Sequence, residues 1–554
     1  MTPRLRLRLP RPAPLLAASA LALCLYAAHT QLKPLHLESL PVLDKTPRKS
    51  GKSKSASVVF PPYTPVGWGS NRNLILSPDA AQGLVKKPAP LPHLGATPLR
   101  DLAIGEEYAA AVDANGDCWL WGKGYDESGM VGKGLRGKSL RTLAPAQSKI
   151  FALSKHGNLY LFSPSKAIHS KRRDKPTQSW SSYLFGADPN VDFVELEPEG
   201  GMAWGERWKG MDVGRDHLLA VTSRGRVFSL PLSEKGNSHR QLGRKAELSV
   251  FDNTATRTLP PAQDIRYASL LSPVPSLANI PVAQVAAGER TSFVRTRDDK
   301  VLAFGANEAG QIGLGASYTV EVVPVPVEVV LGKCYPTGTA VECRDIKAGG
   351  NTTFYTVLRS FPGRRGTFID VLSCGSGLQG ALGTGAYTSA TGLPVRVKTI
   401  SGLQEYSEKE GTFLPIGVWD LVVSKSAGGT GTHAFAVLDT VREGGGREYG
   451  RDLVGWGANV DYQIGISKRS STPSPIHLPR LGTKLPESII DPTDLEFVAT
   501  PQIPLPQDRL QLQQSRTKAY DLEGKLLKRG WGVRCEQRVA VGWGNTVLWE
   551  RIVE

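Results

Sequence analysis

The chain has 554 residues, of which 40% are hydrophobic, with 59 glycines, 40 prolines and a formal net charge of +16. This composition is too apolar for a disordered chain and too rich in turn-forming residues for a helical one, so it favours many short strands joined by tight turns. The charge suggests an anionic partner, but residues 1–60 hold ten Lys/Arg against Glu38 and Asp44 and so carry +8 of it. The remainder is only mildly basic, and a nucleic-acid-binding body is not expected.

The amino terminus has the composition of a targeting segment. No acidic residue precedes Glu38, and four arginines between Arg4 and Arg11 come before the apolar stretch Leu15–Ala28. An Arg-rich, acid-free start is typical of mitochondrial import, although a secretory signal peptide has similar features. The apolar stretch is shorter than the ~20 residues of a membrane helix, yet the longer uncharged interval 12–32 could form a marginal span. We predict a mitochondrial targeting sequence that is either cleaved or spans the membrane at 1–32, and a basic flexible linker at 33–57.

One pattern recurs through the rest of the chain, and its clearest copy is Val285–Gly315. A glycine follows a short apolar strand, two more apolar strands flank a polar turn, and an aromatic–Gly pair closes the unit. The distance from the first glycine to the closing apolar residue is 16 positions in three copies, namely Gly105 to Trp121, Gly214 to Leu230 and Gly288 to Phe304. Identical spacing in separate places indicates one supersecondary unit used repeatedly.

Weaker copies occur at Ile150–Ser163, Asp345–Leu358 and Gly431–Thr440. The carboxyl-terminal Arg538–Trp549 matches the first half of a unit, and the amino-terminal Tyr63–Asn71 matches the second half. Together they make a seventh unit, and joining them removes the exposed sheet edge that an open array would leave. The sequence therefore predicts an all-β, seven-bladed β-propeller over residues 58–554, closed by its terminal strands, with loop insertions at about 164–207, 233–280 and 480–535.

These elements resemble the regulator-of-chromosome-condensation repeat family. The residues that carry the resemblance are Gly214 with His217, Trp121-Gly122, Trp456-Gly457, Gly310–Gly313 and Gln463–Gly465. Members of that family exchange nucleotide on small GTPases, inhibit enzymes or act as scaffolds, so the resemblance implies a propeller without fixing its function. Combined with the amino terminus, the chain is most similar to fungal mitochondrial members that are linked to the inner membrane and to biogenesis of respiratory-chain complexes.

The resemblance and the targeting segment together predict a non-enzymatic, protein-binding scaffold or assembly factor at the mitochondrial inner membrane. Its expected partners are respiratory-complex subunits or other mitochondrial assembly components, and the amino-terminal segment is expected to contact the inner membrane. The alternative is a guanine-nucleotide exchange factor for a small or dynamin-like GTPase, and a third hypothesis is a secreted lectin-like or inhibitory module. No catalytic, cofactor-binding or metal-binding residue is predicted, and nucleic acid is not an expected partner.

Several motifs are typical of a chemical function, but their sequence context does not favour that function here. Gly132–Ser139 spells G-x-x-x-x-G-K-S, but it aligns with the repeat loop Gly310–Gly315 and lacks the strand–loop–helix context of a phosphate loop. His217 and His433 fall at or near one repeat position, where we expect a structural hydrogen bond. The six cysteines have no zinc-ligand spacing, although Cys334 and Cys343 are close enough to pair in an oxidising compartment.

Two segments outside the repeats remain open from sequence. Asp508–Gly530 has a helical composition, so it forms either a protruding partner-binding helix or a solvated loop packed on the propeller rim. Lys171–Lys175, with the sequence KRRDK, is expected to be an exposed loop because no aromatic residues alternate with its charges.

Overall fold

The structure is a computed structural model that describes residues 64–78, 82–171, 191–244, 259–315, 320–361, 363, 366–407, 410–426, 431–440, 450–481, 508–527 and 532–553. These residues belong to one compact unit, Ser57–Glu554, while the other unit, Met1–Ala56, lies outside them. The predicted targeting segment and linker, and all of KRRDK after Lys171, therefore fall outside the described residues. Within the described part, no helix is long and apolar enough to cross a membrane.

Among the described residues, seven of the eight sheets are the blades of an all-β propeller, so the predicted fold class is confirmed. The chain enters with β1 (Val66–Ser70) and β2 (Leu84–Pro90), which belong to the last blade. Blade 1 contains β3 (Asp101–Ile104), β4 (Ala109–Val112), β5 (Cys118–Trp121) and β6 (Gly132–Lys133). Blade 2 contains β7 (Leu140–Pro145), β8 (Ile150–Ser154), β9 (Leu159–Phe162) and β10 (Phe193–Glu195), with helix α1 (Lys166–Lys171) between the last two.

The next blades continue in the same order. Blade 3 contains β11 (Glu197–Pro198), β12 (Trp208–Val213), β13 (His217–Thr222), β14 (Val227–Pro231) and β15 (Leu270–Pro273). Blade 4 contains β16 (Val282–Ala287), β17 (Thr291–Thr296), β18 (Val301–Ala306) and β19 (Val322–Glu328). Blade 5 contains β20 (Ala340–Gly349), β21 (Thr352–Ser360), β22 (Thr367–Gly377) and β23 (Thr388–Arg396).

A separate hairpin, β24 (Gln404–Ser407) and β25 (Thr412–Pro415), precedes blade 6. Blade 6 contains β26 (Gly417–Val423), β27 (His433–Asp439), β28 (Arg451–Gly457), β29 (Thr472–His477) and β30 (Gln511–Leu512). Blade 7 contains β31 (Gln514–Thr517), β32 (Val533–Val541) and β33 (Asn545–Ile552), followed in space by β1 and β2. Short 3-10 helices occupy Pro92–Leu94, Pro275–Leu277, Leu331–Cys334, Leu378–Gly380 and Lys398–Ile400.

The predicted closure is present as an antiparallel pair between β1 and β33. Val66 lies opposite Leu548, and Gly69 lies opposite Asn545. The side-chain amide of Asn545 also donates to the Ser70 carbonyl at 3.1 Å, over a separation of 475 residues. The two ends of the chain therefore complete one sheet.

The hydrophobic core is divided into layers between neighbouring blades. Seven of its clusters each combine residues of two adjacent blades, from the layer between blades 1 and 2 round to the layer between blades 7 and 1. The aromatic residues of the repeat lie in these layers, and Trp68, Phe304 and Trp456 are fully buried. Each blade thus buries its faces against its neighbours, as the repeat pattern predicts.

The segment at 508–530 differs from the helical alternative. Over its described part it forms β30, which pairs with β28, and β31, which pairs with β32. The helical alternative is therefore wrong there, because unsatisfied backbone groups at the edges of these two strands offer hydrogen bonds that outweigh helix propensity. The other predicted insertions also contribute strands, since 164–207 contains β10 and β11 and 233–280 contains β15.

Candidate functional site

The propeller has two unlike faces. One carries the turns between the second and third strands of each blade, including Asn115-Gly116 and Arg224-Gly225, together with the connections from each blade to the next. We call it the hairpin face. The opposite face carries the loops of the Gly-Gln-x-Gly type, such as Gly310–Gly313, and we call it the glycine-loop face. The turn glycines adopt the positive φ that the sequence predicts, at 92° for both Gly116 and Gly225.

The innermost strands of the blades enclose a central channel with a cavity volume of about 670 Å³. Its wall contains charged side chains from five of the blades, and they carry both signs. These are Asp101, Lys209, Asp212, Lys347, Asp420, Lys425, Arg538 and Arg551. A mixed-charge wall of this kind suits recognition of polar or charged groups better than of an apolar ligand.

Ion pairs organise the channel wall between blades 6 and 7. The Arg538 guanidinium donates to Asp420 at 2.6 Å and to Glu536 at 2.8 Å. Burial alone would lower the pKa of Arg538, but the charge of Asp420 and the bond to Glu536 outweigh it and raise that pKa. In the adjoining blade 1, burial raises the pKa of Asp101, whose carboxylate accepts the Leu143 amide at 2.7 Å.

Lys425 crosses the channel near the glycine-loop face. It belongs to blade 6, yet its Nζ lies 2.9 Å from Asp212 of blade 3 and donates to the Ala287 carbonyl of blade 4 at 2.6 Å. Asp212 also accepts the Ala287 amide at 2.8 Å. This bridge connects blade 6 with blades 3 and 4 across the channel at that end.

Exposed aromatic residues are concentrated on the hairpin face. Trp204 lies in the connection between blades 2 and 3, Tyr406 and Phe413 stack edge to face on the β24–β25 hairpin, and Trp419 lies in β26. The Arg451 guanidinium lies 3.7 Å from the centre of the Trp419 ring, which is itself 43% exposed. Tryptophan and arginine dominate the energetics of protein interfaces. The hairpin face is therefore the candidate interaction surface.

The two histidines singled out from sequence lie far from this surface. His217 contacts the Ser292 hydroxyl of the next blade at 3.0 Å, and His433 contacts the Thr546 hydroxyl of the next blade at 3.2 Å. Burial lowers the pKa of each histidine to about 3. Both are therefore neutral links between blades, positioned as structural hydrogen-bonding groups.

The Gly132–Ser139 segment does not have the geometry of a phosphate loop. It begins in the short edge strand β6 and runs into β7 without an intervening helix. Two of its amides are already committed, since Gly134 donates to the Cys118 carbonyl at 2.9 Å and Gly137 donates to Asp117 at 2.8 Å. A phosphate group would find no helix end there, and these two amides are not available to it.

The cysteines are all reduced where the structure describes them. Cys334 and Cys343 are separate thiols, and Cys118 and Cys374 are fully buried. The described residues contain no group of three or more His, Cys, Asp or Glu side chains placed to hold a metal ion.

Sequence reasoning missed an asparagine that organises the loops of four blades. In each, its side-chain oxygen accepts the amide of the apolar residue five positions later. The pairs are Asn71 with Leu76, Asn237 with Leu242, Asn307 with Ile312 and Asn459 with Ile464. The signal was present in the sequence as an Asn followed at that spacing by Leu or Ile.

Lys149 was also missed. It is only 2% exposed, and its Nζ donates to the carbonyls of Leu232 at 2.8 Å and Pro261 at 3.0 Å. It occupies the position in the eroded second repeat that His217 occupies in the third, and like His217 it links its blade to the next one.

These features define a seven-bladed propeller that joins its blades through repeated side-chain links and presents one aromatic, arginine-rich face. A family model, the regulator of chromosome condensation (RCC1) repeat, matches residues 282–311. That segment is the clearest repeat of the sequence, with Gly288 and Phe304. The match shows one repeat of the RCC1 type in this chain.

Among known proteins, the chain is similar to Protein FMP25, mitochondrial, from Saccharomyces cerevisiae, with 23% identity over 71% of this chain and 63% of that protein. It is also similar to the RCC1 domain-containing protein RUG3, mitochondrial, from Arabidopsis thaliana, with 25% identity over 42% of this chain and 48% of that protein. The matches thus span less than two thirds of either relative. Among solved structures, yeast RCC1 (Prp20), crystallised bound to Kap60, has a TM-score of 0.52 at 16% identity, covering 93% of this chain and 97% of that chain. This likeness shows a shared fold.

Proposed function

We propose that this protein is a non-enzymatic mitochondrial scaffold that binds partner proteins through the hairpin face of its propeller. The observation that carries the proposal is the concentration of exposed aromatic residues and inserted strands on that one face. Two homologues are mitochondrial proteins by name, and the acid-free, arginine-rich amino terminus supports the same location.

The finer proposal is that the scaffold supports biogenesis of respiratory complexes at the inner membrane. It rests on the resemblance to mitochondrial members of the family and on the apolar stretch Leu15–Ala28. Subcellular fractionation followed by carbonate extraction tests the location. We expect the protein in the mitochondrial membrane fraction, and recovery in the nucleus or the medium would contradict this part of the proposal.

Binding through the hairpin face is tested by a pair of double variants on opposite faces. Phe413→Ala with Trp419→Ala removes two exposed aromatic rings from the hairpin face. Met130→Ala with Leu378→Ala removes comparably exposed side chains from the glycine-loop face and is the matched control. Each tagged variant is purified from mitochondria, and its partners are quantified by mass spectrometry against the wild type.

We expect the hairpin-face variant to lose its principal partners by about tenfold or more, because truncating an interface hot spot costs about 2 kcal/mol or more, while the control retains them. Equal recovery with both variants would place binding elsewhere. If the principal partner is a GTPase, and if the purified propeller accelerates release of its bound nucleotide, the exchange-factor alternative replaces the scaffold proposal.

A further inference from the structure

The connection between blades 2 and 3 contains an apolar loop with an unusual degree of exposure. The Trp204 loop, residues Gly200–Gly205, reads GGMAWG and contains no charged residue. Trp204 at its tip is 96% exposed. A methyl group added at Gly200, Gly201 or Gly205 would meet no atom within 4 Å, so the loop protrudes from the hairpin face. An exposed indole at the tip of a loop is available for contact with a protein partner or a membrane interface, the two settings in which tryptophan is enriched.

The loop is held in place by a buried carboxylate at its base. The Glu206 side chain is completely buried, accepts the Ala203 amide at 3.1 Å, and also accepts a hydrogen bond from the Thr222 hydroxyl. Arg226 donates to it at 2.7 Å and 2.9 Å. These bonds and the ion pair with Arg226 lower the pKa of Glu206 to about 2 against the opposing effect of burial. The presentation of Trp204 is therefore built into the fold.

Part of the Trp204 loop backbone is hydrogen-bonded within the protein. Arg226 donates to the Gly201 carbonyl at 3.0 Å, and Arg224 donates to the Trp204 carbonyl at 2.9 Å. The Ala203 carbonyl accepts the Glu206 amide at 2.9 Å. These bonds order the loop before it binds, so binding through Trp204 requires little further ordering of its backbone.

Basic side chains surround the base of the loop. Arg207 and Arg224 are exposed, and Arg297 donates to the Ser223 carbonyl at 3.0 Å, which places it beside the Arg224 turn. The Arg207 carbonyl accepts the Ser223 amide at 2.8 Å, so the basic residues form one group. Exposed acidic residues also lie nearby, namely Glu197 and Glu199 in and after β11 and Asp298 next to Arg297.

From these observations we infer that the Trp204 loop is an interfacial anchor that docks the hairpin face on an anionic phospholipid membrane. Trp204 inserts its indole at the level of the lipid headgroups, a position that tryptophan favours, and Arg207, Arg224 and Arg297 contact the headgroup phosphates. One apolar insertion plus a basic patch supplies the two signals that stable peripheral binding requires. The inference goes beyond the proposed function and does not depend on it.

The test uses the full chain and vesicles of phosphatidylcholine with about one third phosphatidylserine, compared with phosphatidylcholine alone. Trp204→Ala is expected to weaken binding to the anionic vesicles about tenfold to a hundredfold, which is the loss of burying one aromatic ring. Arg207→Glu reverses one charge and is expected to weaken binding about 25-fold, at about fivefold for each unit of charge. Arg207 is chosen because Arg224 also supports the Trp204 carbonyl. Leu378→Ala, which truncates a side chain 63% exposed on the opposite face, is the control and is expected to stay within about twofold.

A depth measurement separates this loop from any contribution of the amino-terminal segment. Brominated phospholipid quenches tryptophan fluorescence only at contact range, so part of the quenching should disappear in Trp204→Phe, which keeps an aromatic ring at the tip. Unchanged quenching in that variant, together with unchanged affinity of Trp204→Ala, would overturn the inference. Loss of a partner protein from Trp204→Ala with vesicle binding intact would also overturn it, and would assign the loop to a protein contact. If the variant with Phe413→Ala and Trp419→Ala loses its partner proteins but still binds vesicles, the proposed function is supported and the membrane inference is unaffected.

Discussion

Blades 4 and 7 are built from the same parts and differ in how the chain connects them. Blade 4 is one continuous segment, with β17 and β18 joined by a turn in which Asp299 has a φ of 60°. In blade 7 the corresponding strands, β33 and β1, come from opposite ends of the chain and are joined only by hydrogen bonds and packing. Phe304-Gly305 in blade 4 corresponds to Trp68-Gly69 in blade 7, and both glycines have a φ above 100°.

The two blades also share their links to the preceding blade. Ser292 of blade 4 contacts His217 and donates to the Gln241 carbonyl at 2.7 Å. Thr546 of blade 7 contacts His433 and donates to the Gln463 carbonyl at 2.7 Å. The contacts between blades are therefore the same, and what distinguishes blade 7 is the missing covalent turn. Its β1–β33 pair closes the ring by non-covalent contacts alone.

Removing β1 should have the largest effect. Deletion of residues 1–71 leaves the edge of β33 unpaired and removes Trp68 from the layer between blades 6 and 7. We expect a loss of more than about 5 kcal/mol and a broad, non-cooperative thermal transition by circular dichroism. Deletion of residues 1–57 is the control and should unfold like the wild type. An unchanged transition after the longer deletion would show that the ring does not need its closing strand.

Truncation of the matched aromatic residues comes next. Trp68→Ala and Phe304→Ala each empty a fully buried site, and each should cost about 3–5 kcal/mol in the free energy of unfolding by denaturant titration. Trp68 also donates to the Gln463 carbonyl at 2.9 Å, but Thr546 still satisfies that carbonyl in the variant. The two costs should therefore be similar. Trp204→Ala, at an exposed site, should change stability by less than about 0.5 kcal/mol.

A marked difference between Trp68→Ala and Phe304→Ala would sharpen the comparison. If Trp68→Ala costs much more, the blade without a covalent turn depends more heavily on its packing. If it costs much less, blade 7 already opens in the native state, and the equivalence of the two blades fails.

The repeat made the fold predictable because its key signals are local. The glycine-to-aromatic spacing from Gly288 to Phe304 and the turn at Asn115-Gly116 each lie within one blade, and a single blade fixes the rest by repetition. Closure was also predictable, since half a repeat at each end can be completed only by the other half. Composition left 508–530 open between a helix and a loop packed on the propeller rim, and unpaired strand edges, visible only in three dimensions, directed its described part into β30 and β31.

The candidate site was far less predictable. The repeat pattern does not include Trp204, Trp419 or Lys425. Their roles depend on the face of the propeller on which each connecting segment lies. Lys425 reaches Asp212 across 213 positions of sequence, and nothing in either local segment signals that contact. Lys149 looked like erosion of the second repeat, although the structure uses it as the link to blade 3. Such pairings depend on tertiary placement.

A pH dependence is expected from the two buried histidines that link blade 3 to blade 4 and blade 6 to blade 7. His217 at the joint to blade 4 and His433 at the joint to blade 7 each have a pKa lowered to about 3 by burial, against an ordinary value near 6.5. Between those two values the unfolded chain binds more protons than the folded one, so stability falls as the pH falls below about 6.5. Each histidine should remove about 2 kcal/mol between pH 7 and pH 5.

Denaturant titrations of His217→Gln and His433→Gln at both pH values measure this. In each variant, the pH dependence of the free energy of unfolding should decrease by the contribution of the histidine that was replaced. His93, whose pKa burial lowers to about 4, contributes equally in the wild type and in both variants. Equal shares would mean that the joint formed by the chain ends is as tightly packed as an internal one. A smaller share for His433 would mean that water reaches the closing joint in the folded state, because a hydrated imidazole keeps a pKa nearer its ordinary value. Blades 4 and 7 would then differ in their contact with the preceding blade and not in their strand pairing, since the β1–β33 pairing could persist while the contact between blades 6 and 7 loosens.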